Sequence, residues 1–148
     1  MRTILVCLAS AIFATSTIRA ADAPAASPTA SPSLAKGSRC FEMRTYYAAP
    51  GKVEELHLRF RAHTNVLFIK HGMQIVGYWV PLDKDGNYED KLVYVLAYPN
   101  RGAREKSWQA FLADPDWITA KNASEVNGKL VDKIESVFMT ATDYSPIR

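Results

Sequence analysis

Histidine supplies the most direct sign of chemistry in this sequence. Apolar side chains recur at helical intervals between residues 53 and 68, and His63 falls on the same stripe as Leu56 and Phe60. A histidine on an apolar helix face could act as a proton carrier or as an axial ligand tuned by burial. The alternative is a histidine hydrogen-bonded within the core or at its edge, which is the commoner arrangement for a buried polar group.

The other two histidines lie on the flank of the same predicted helix. His57 and His63 are six residues apart and do not share a helical face, so their spacing argues against a metal pair. His71 lies in the last turn, where a protonated imidazole would meet the negative end of the helix dipole. We therefore predict no metal site and no resident cofactor.

A row of polar residues is predicted on the first strand. Residues 40–47 alternate in character, so Glu42, Arg44 and Tyr46 share one face. If that face lines the interior of a barrel, Arg44 could orient a carboxylate or an enolate with two hydrogen bonds, and Tyr46 could donate another. The alternative is a structural Glu42–Arg44 pair, within one chain or across a dimer, that fixes the geometry of assembly.

Aromatic residues could wall an apolar ligand site beside this row. Tyr78 and Trp79 are adjacent on a predicted strand and must point to opposite faces, so one of them should reach the barrel side. Trp108 and Phe111 are three apart on a predicted helix and are more typical of a core. The candidate pocket comprises Glu42, Arg44, Tyr46, His63, Tyr78, Trp79 and Tyr94.

The first twenty residues have the features of a secretory signal peptide. Arg2 gives a positive start, an apolar run extends from Ile4 to Ile18, and Ala20 offers a small residue for cleavage. Roughly 15 apolar positions are too few to cross a bilayer, so no transmembrane segment is predicted. We expect an exported protein, periplasmic or secreted, with a signal peptide at 1–20, a disordered Ala/Pro/Ser linker at 21–38 and a folded domain at 39–148.

Composition narrows the function further. The 148 residues, 48% of them hydrophobic, favour one domain with one core. Once Arg2 and Arg19 leave with the signal peptide, 16 basic residues face 15 acidic ones, and no basic stripe indicates a nucleic-acid partner. Cys40 is then the single cysteine, so no intrachain disulfide can form. The sequence also contains no phosphate-binding loop, nucleophile-elbow serine or zinc-binding cluster.

The order of predicted elements indicates an α+β fold. Strands are predicted at residues 40–47, 74–80, 91–98 and 134–142, and helices at 52–71, 100–113 and 115–127. This β-α-β-β-α-β order is that of ferredoxin-like units with a four-stranded antiparallel sheet. The segment Leu92–Ala97 is apolar on both faces, but one layer of helices covers only one of them. We therefore expect the second face to meet a copy of itself in a two-fold homodimer.

Several short segments resemble the NIPSNAP family. They are Glu42–Tyr46 followed by Pro50–Lys52, His71–Met73 leading to Val76–Trp79, Trp108–Phe111, and Ala113–Trp117. The resemblance extends from Phe41 to about Tyr144 and implies a ferredoxin-like domain that forms a dimeric α+β barrel. It implies no settled activity and no agreed catalytic residues. Related barrels include cofactor-independent monooxygenases and haem-handling enzymes.

Two functions from different classes follow from these observations. The first is a dimeric binding module for a small apolar or amphipathic molecule, or for another protein. The second is an enzyme similar to the cofactor-independent monooxygenases, in which Arg44 and Tyr46, with His63 as a further candidate, would stabilise a carbanion or enolate. We favour the binding module, because an enzyme needs a polar active site and the sequence gives only weak evidence for one.

Overall fold

The computed structural model describes residues 33–82 and 89–148. The predicted signal peptide and most of the predicted linker lie outside the described residues. The contacts of the folded unit begin before residue 39, because Leu34 bridges to Thr142 and the Ala35 N–H donates to the Ala141 carbonyl at 3.0 Å. Within the described ranges, no helix is long and apolar enough to cross a membrane.

The predicted α+β order is confirmed. The elements are β1 (Cys40–Ala48), α1 (Val53–Arg59), a π-helical segment (Phe60–Thr64), α2 (Asn65–Lys70), β2 (Gln74–Trp79), β3 (Lys91–Tyr98), α3 (Arg101–Ala113), α4 (Pro115–Ser124) and β4 (Val131–Met139). The largest shift is in β4, which begins and ends three residues earlier than predicted. Its limits are set by its neighbour, because Val131 pairs with Ala48 at one end of β1 and Met139 pairs with Phe41 at the other.

The four strands form one antiparallel sheet in the order β2-β3-β1-β4. This is the ferredoxin-like arrangement, with β1 and β3 at the centre and the helices on one face. The register places Tyr94 and Ser136 on either side of Arg44. Because residues directly opposite one another share a face, the polar row of β1 and the tyrosines of β3 point the same way.

The main core lies between that face and the helices. Its large members are Tyr46, Leu56, Phe60, Leu67, Phe68, Met73, Leu92, Tyr94, Leu96, Tyr98, Trp108, Phe111 and Leu130. The rings meet mostly edge to face, as Phe68 does with Phe111 at a centroid distance of 5.0 Å. The prediction that Trp108 and Phe111 belong to the core is confirmed.

A π-helical turn changes which side of the first helix is buried. The Asn65 N–H donates to the Phe60 carbonyl five residues back, and the Thr64 hydroxyl donates to the Arg59 carbonyl at 3.3 Å. The wider turn carries the buried stripe from Phe60 to Thr64 instead of to His63. Thr64 is therefore buried and His63 is exposed, so the predicted place of His63 on the apolar face is wrong.

The opposite face of the sheet is only partly covered. Phe41, Ala97 and Ala141 form a small buried cluster there. Large apolar side chains remain exposed on the same face, among them Trp79 at 51%, Val137 at 49% and Met139 at 37%. The Trp79 ring lies across Gly77, and a Cβ added at Gly77 would come within 2.8 Å of the ring, so the half-exposed ring would have to shift.

Candidate functional site

A fully buried carboxylate, that of Glu42, lies at the centre of the candidate site. It accepts hydrogen bonds from Arg44 Nη1 at 2.7 Å, from Arg104 Nη2 at 2.6 Å and from Arg104 Nε at 2.9 Å. The Ser136 hydroxyl donates at 2.8 Å and the Trp108 indole N–H at 3.1 Å. Donors from β1, β4 and α3 therefore converge on one acid, which satisfies the requirement that a buried charge be paired.

These donors keep Glu42 ionised. Burial opposes the charged form, but hydrogen bonds from Arg104, Ser136 and Arg44 outweigh burial and lower the pKa of Glu42 to about 2. The hydrogen bonds that Arg104 donates to Glu42 raise the pKa of Arg104 in turn. The cluster is thus a fixed set of charges, and Glu42 is unsuited to exchange protons near neutral pH.

Arg44 is held in place from two sides. Its guanidinium carbon lies 4.3 Å from the centroid of the Trp108 ring and 5.5 Å from that of Tyr46, within range of cation–π attraction. Glu42 binds its Nη1, while the buried Nε has no hydrogen-bond partner in the part of the chain that the structure describes. One edge of this guanidinium therefore has no hydrogen-bonded acceptor among the described residues.

A cavity of about 490 Å³ lies beside this cluster, between the sheet and α3 and α4. Its aromatic walls are Tyr46, Trp108, Phe111 and Trp117, with apolar contributions from Leu112, Val131 and Ile134. One acidic residue, Glu125, lines the cavity among the described residues. The basic lining residues are Arg44, Arg59, Arg104, Lys121 and Lys129. The volume is within the usual range for a small-molecule site.

Arg59 also lines the cavity and was missed by the sequence analysis. Its side chain is only 4% exposed, and its Nη1 binds Glu125 at 2.8 Å and the Ser124 hydroxyl at 3.3 Å. The guanidinium lies 5.3 Å from the Trp117 ring centroid, and the buried Nε has no partner among the described residues. Its position next to Phe60 in the helical stripe was the available signal, but an arginine there normally indicates an exposed residue.

The structure brings together part of the predicted pocket. Glu42, Arg44 and Tyr46 share a face as predicted, but this face lies against the helices and does not face the open side of the sheet. Tyr94 lies against Tyr46, with ring centroids 5.2 Å apart, and its buried hydroxyl has no partner among the described residues. Burial raises the pKa of Tyr94 well above its ordinary value.

The remaining predicted residues are dispersed. Tyr78 points to the helix side, where its hydroxyl donates to Asn65 at 2.7 Å, and Trp79 points to the open face, as their adjacency predicted. His63 is exposed and does not line the cavity beside Arg44. The oxygenase alternative therefore loses its candidate proton carrier.

His71 has a structural partner away from the cavity. Its Nε2 lies 2.6 Å from Asp114 Oδ2, and Lys70 Nζ lies 2.8 Å from the same oxygen. Asp114 also caps α4 by accepting the Asp116 N–H at 2.9 Å. These contacts tie the end of α2 to the start of α4, and the hydrogen bonds from Lys70 and His71 lower the pKa of Asp114. Among the described residues, no group of three or more metal-binding side chains occurs.

Comparison with known proteins gives a consistent result. The NIPSNAP family model matches residues 41–146. The chain is similar to the solved structure of a NIPSNAP family protein of unknown function from Agrobacterium tumefaciens, with 18% identity over 78% of this chain and 99% of that one and a TM-score of 0.67. A NIPSNAP domain protein from Burkholderia xenovorans is 24% identical over 72% of this chain and 98% of that one, with a TM-score of 0.59.

A second Agrobacterium tumefaciens NIPSNAP family protein is 22% identical over 74% of this chain and 99% of that one, with a TM-score of 0.63. At such identities the structural likeness establishes the fold and assigns no activity. No curated protein matches the sequence.

Glu42 should make the free energy of unfolding depend on pH in the acidic range. Its pKa is lower in the folded protein than its ordinary value, so its contribution is complete above about pH 5 and is lost as the pH falls to about 2. Urea unfolding should show that the difference in unfolding free energy between wild type and Glu42→Gln shrinks by on the order of 3 kcal/mol across that window. Glu54→Gln, at an exposed helix position, should keep the wild-type acid profile. A constant difference between wild type and Glu42→Gln would contradict the ionised cluster.

Proposed function

The chain belongs to the NIPSNAP family, and from this premise we propose that it is an exported homodimer that binds a small apolar or amphipathic molecule. The observation that carries the proposal is the aromatic-walled cavity between the sheet and α3 and α4. Ligand sites are typically concave, mostly apolar and equipped with a few placed polar groups, and this cavity has all three properties. The fold itself assigns no chemistry, so the function rests on the site.

Preorganisation supports binding at this site. Arg44 is fixed by Glu42 and stacked on Trp108 before any ligand arrives. Arg59 is fixed in the same way by Glu125 and Trp117. Because these side chains are already ordered, a ligand loses less free energy to the ordering of its site.

The partly covered face of the sheet supports a homodimer. Its exposed residues Trp79, Val137 and Met139 extend the apolar surface of Val93 and Val95 on β3. Two such sheets can pack face to face at about 10 Å, with their side chains filling the space between them. A two-fold axis would bury the same patch on both copies.

The first twenty residues support export. A positive residue, an apolar run and a small residue at position 20 follow one another in the order of a secretory signal. Export would place the domain in the periplasm or outside the cell, where the single remaining Cys40 has no intrachain disulfide partner.

Export is tested with the full chain expressed in a Gram-negative host. The periplasmic fraction should contain a protein whose intact mass corresponds to a start at Ala21. Leu8→Arg, which places a charge in the apolar run, should leave the full-length precursor in the cytoplasm. A wild-type chain that stays full-length in the cytoplasm would refute export.

Dimerisation is tested by two matched substitutions on β4. Val137 and Ile134 are 49% and 47% exposed but lie on opposite faces of the strand. Val137→Glu buries a charge in the proposed interface, and light scattering after size exclusion should show a monomer. Ile134→Glu should remain a dimer. A monomeric wild-type protein would exclude the homodimer, and a Val137→Glu variant that still dimerises would exclude this sheet face as the interface.

Ligand binding is tested with 1-anilinonaphthalene-8-sulfonate, an amphipathic probe whose fluorescence rises in apolar sites. Ile134→Trp places a ring at the cavity wall and should weaken binding by at least about tenfold, because the site can no longer hold the naphthalene body. Val126→Trp makes a similar change at a position that is 79% exposed and does not line this cavity. It should bind the probe like wild type. Absence of binding by wild type, or unchanged binding by Ile134→Trp, would contradict the proposed site.

A further inference from the structure

Two buried guanidinium groups of the cavity share an unusual hydrogen-bond pattern. Arg59 has a side chain only 4% exposed and Arg44 one only 12% exposed. Each uses Nη1 to bind a glutamate, Glu42 in one case and Glu125 in the other. In each, the buried Nε has no partner within the described residues. A guanidinium can bind a carboxylate side-on through the edge that carries Nε. In both arginines this edge is therefore unused.

Unpaired buried donors are rare and destabilising in folded proteins. More than nine in ten buried polar groups have a partner, and each exception calls for an explanation such as a missing ligand. Here two exceptions belong to residues that line the same cavity. An acceptor in the cavity would satisfy both donors once each guanidinium turns toward it.

The charges around the cavity favour an anionic acceptor. Five basic side chains line it and one acidic side chain does. Glu125 is shared by Arg59 and Lys121, and the buried Glu42 is shared by Arg44 and Arg104. Arg104 also binds Glu105, and Lys129 binds Asp132, so the five bases and their four acidic partners leave one net positive charge. A partly enclosed site with excess positive charge concentrates anions.

The rest of the lining determines the other half of the ligand. Trp108 lies beneath Arg44, and Trp117 lies beside Arg59. Leu112 and Val131 add apolar surface between the helices and β4. A purely polar ion would leave this surface facing water, whereas an apolar body attached to the acid would cover it.

We propose that the ligand is an amphipathic organic anion whose acidic group binds to Arg44 and Arg59 while its apolar body packs against Trp108 and Trp117. This inference rests on the proposed ligand-binding function and adds the ligand's chemical class. Because each Nε is itself buried, binding turns the guanidinium slightly toward the cavity, a side-chain adjustment of the kind common at binding surfaces. Lys121 and Lys129 add charge near the cavity without replacing the two arginines.

The experiment compares two probes that differ only in the acid. 1-Anilinonaphthalene-8-sulfonate and N-phenyl-1-naphthylamine have the same aromatic body, and only the first carries an anionic group. The wild-type protein should bind the sulfonate at least about tenfold more tightly, since hydrogen bonds to a charged group make a difference of this order. The selectivity ratio, measured by fluorescence titration, is the readout.

Single substitutions then locate the selectivity. Arg44→Met and Arg59→Met should each reduce the ratio by about tenfold while leaving the affinity for the neutral probe within about twofold. Arg61→Met removes the same charge two residues from Arg59 at an exposed position outside this cavity, and it should keep the wild-type ratio. Arg44→Lys and Arg59→Lys keep the charge but lose the guanidinium edge, and they should recover the ratio only partly. Circular dichroism spectra and thermal melting confirm that each variant is folded.

The outcomes separate this inference from the proposed function. If neither probe binds to the wild-type protein, the ligand-binding function fails and the inference fails with it. If both bind with equal affinity and Ile134→Trp abolishes both, the function stands and the anionic ligand is refuted. If Arg61→Met lowers the ratio as much as Arg59→Met, net charge attracts the probe and the two-arginine site is refuted.

Discussion

The buried carboxylate of Glu42 constrains the centre of this domain. Because it lies in β1 with no exposed surface and stays ionised, its charge must be met by donors that come to it. Those donors are Arg44 on the same strand, Ser136 on the neighbouring edge strand, and Arg104 and Trp108 on α3. Satisfying one acid therefore fixes the height and the rotation of α3 over the sheet. Loss of the acid would leave the largely buried Arg44 with uncompensated charge, which is a larger penalty than the loss of one hydrogen bond.

The same cluster separates two kinds of interior. On one side, the aromatic rings of Phe68, Tyr94 and Phe111 pack edge to face and fill the space. On the other, the guanidinium of Arg44 stands over Trp108, and the space between α3, α4 and β4 stays open as the cavity. A polar group held rigidly at the edge of a core can keep a cavity from collapsing, because its geometry is set by hydrogen bonds and not by contact with the opposite wall.

The π-helical turn decides which ionisable side chain of the first helix faces this space. A turn with an i→i−5 hydrogen bond advances the buried stripe by one more residue, so Thr64 is buried and His63 faces solvent. Just before that turn, Arg59 is buried against Trp117 and Glu125. The described lining of the cavity consequently has three permanently charged arginines, Arg44, Arg59 and Arg104, and no histidine, which suits recognition of an acid better than transfer of a proton.

The sequence is enough to predict the order of the elements and the fold class. Alternation in β1 and β3, helical spacing after residue 52 and the apolar character of Leu92–Ala97 give the element order and both faces of the sheet, since these periodicities depend only on local backbone geometry. It also placed Glu42, Arg44 and Tyr46 on one face. Only the tertiary structure shows that this face packs against the helices. Alternation along a strand determines which side chains share a face, but it does not determine what that face packs against. The tertiary structure also decided the burial of Arg59, whose partners Ser124 and Glu125 lie about 65 residues away and leave no mark in the local pattern.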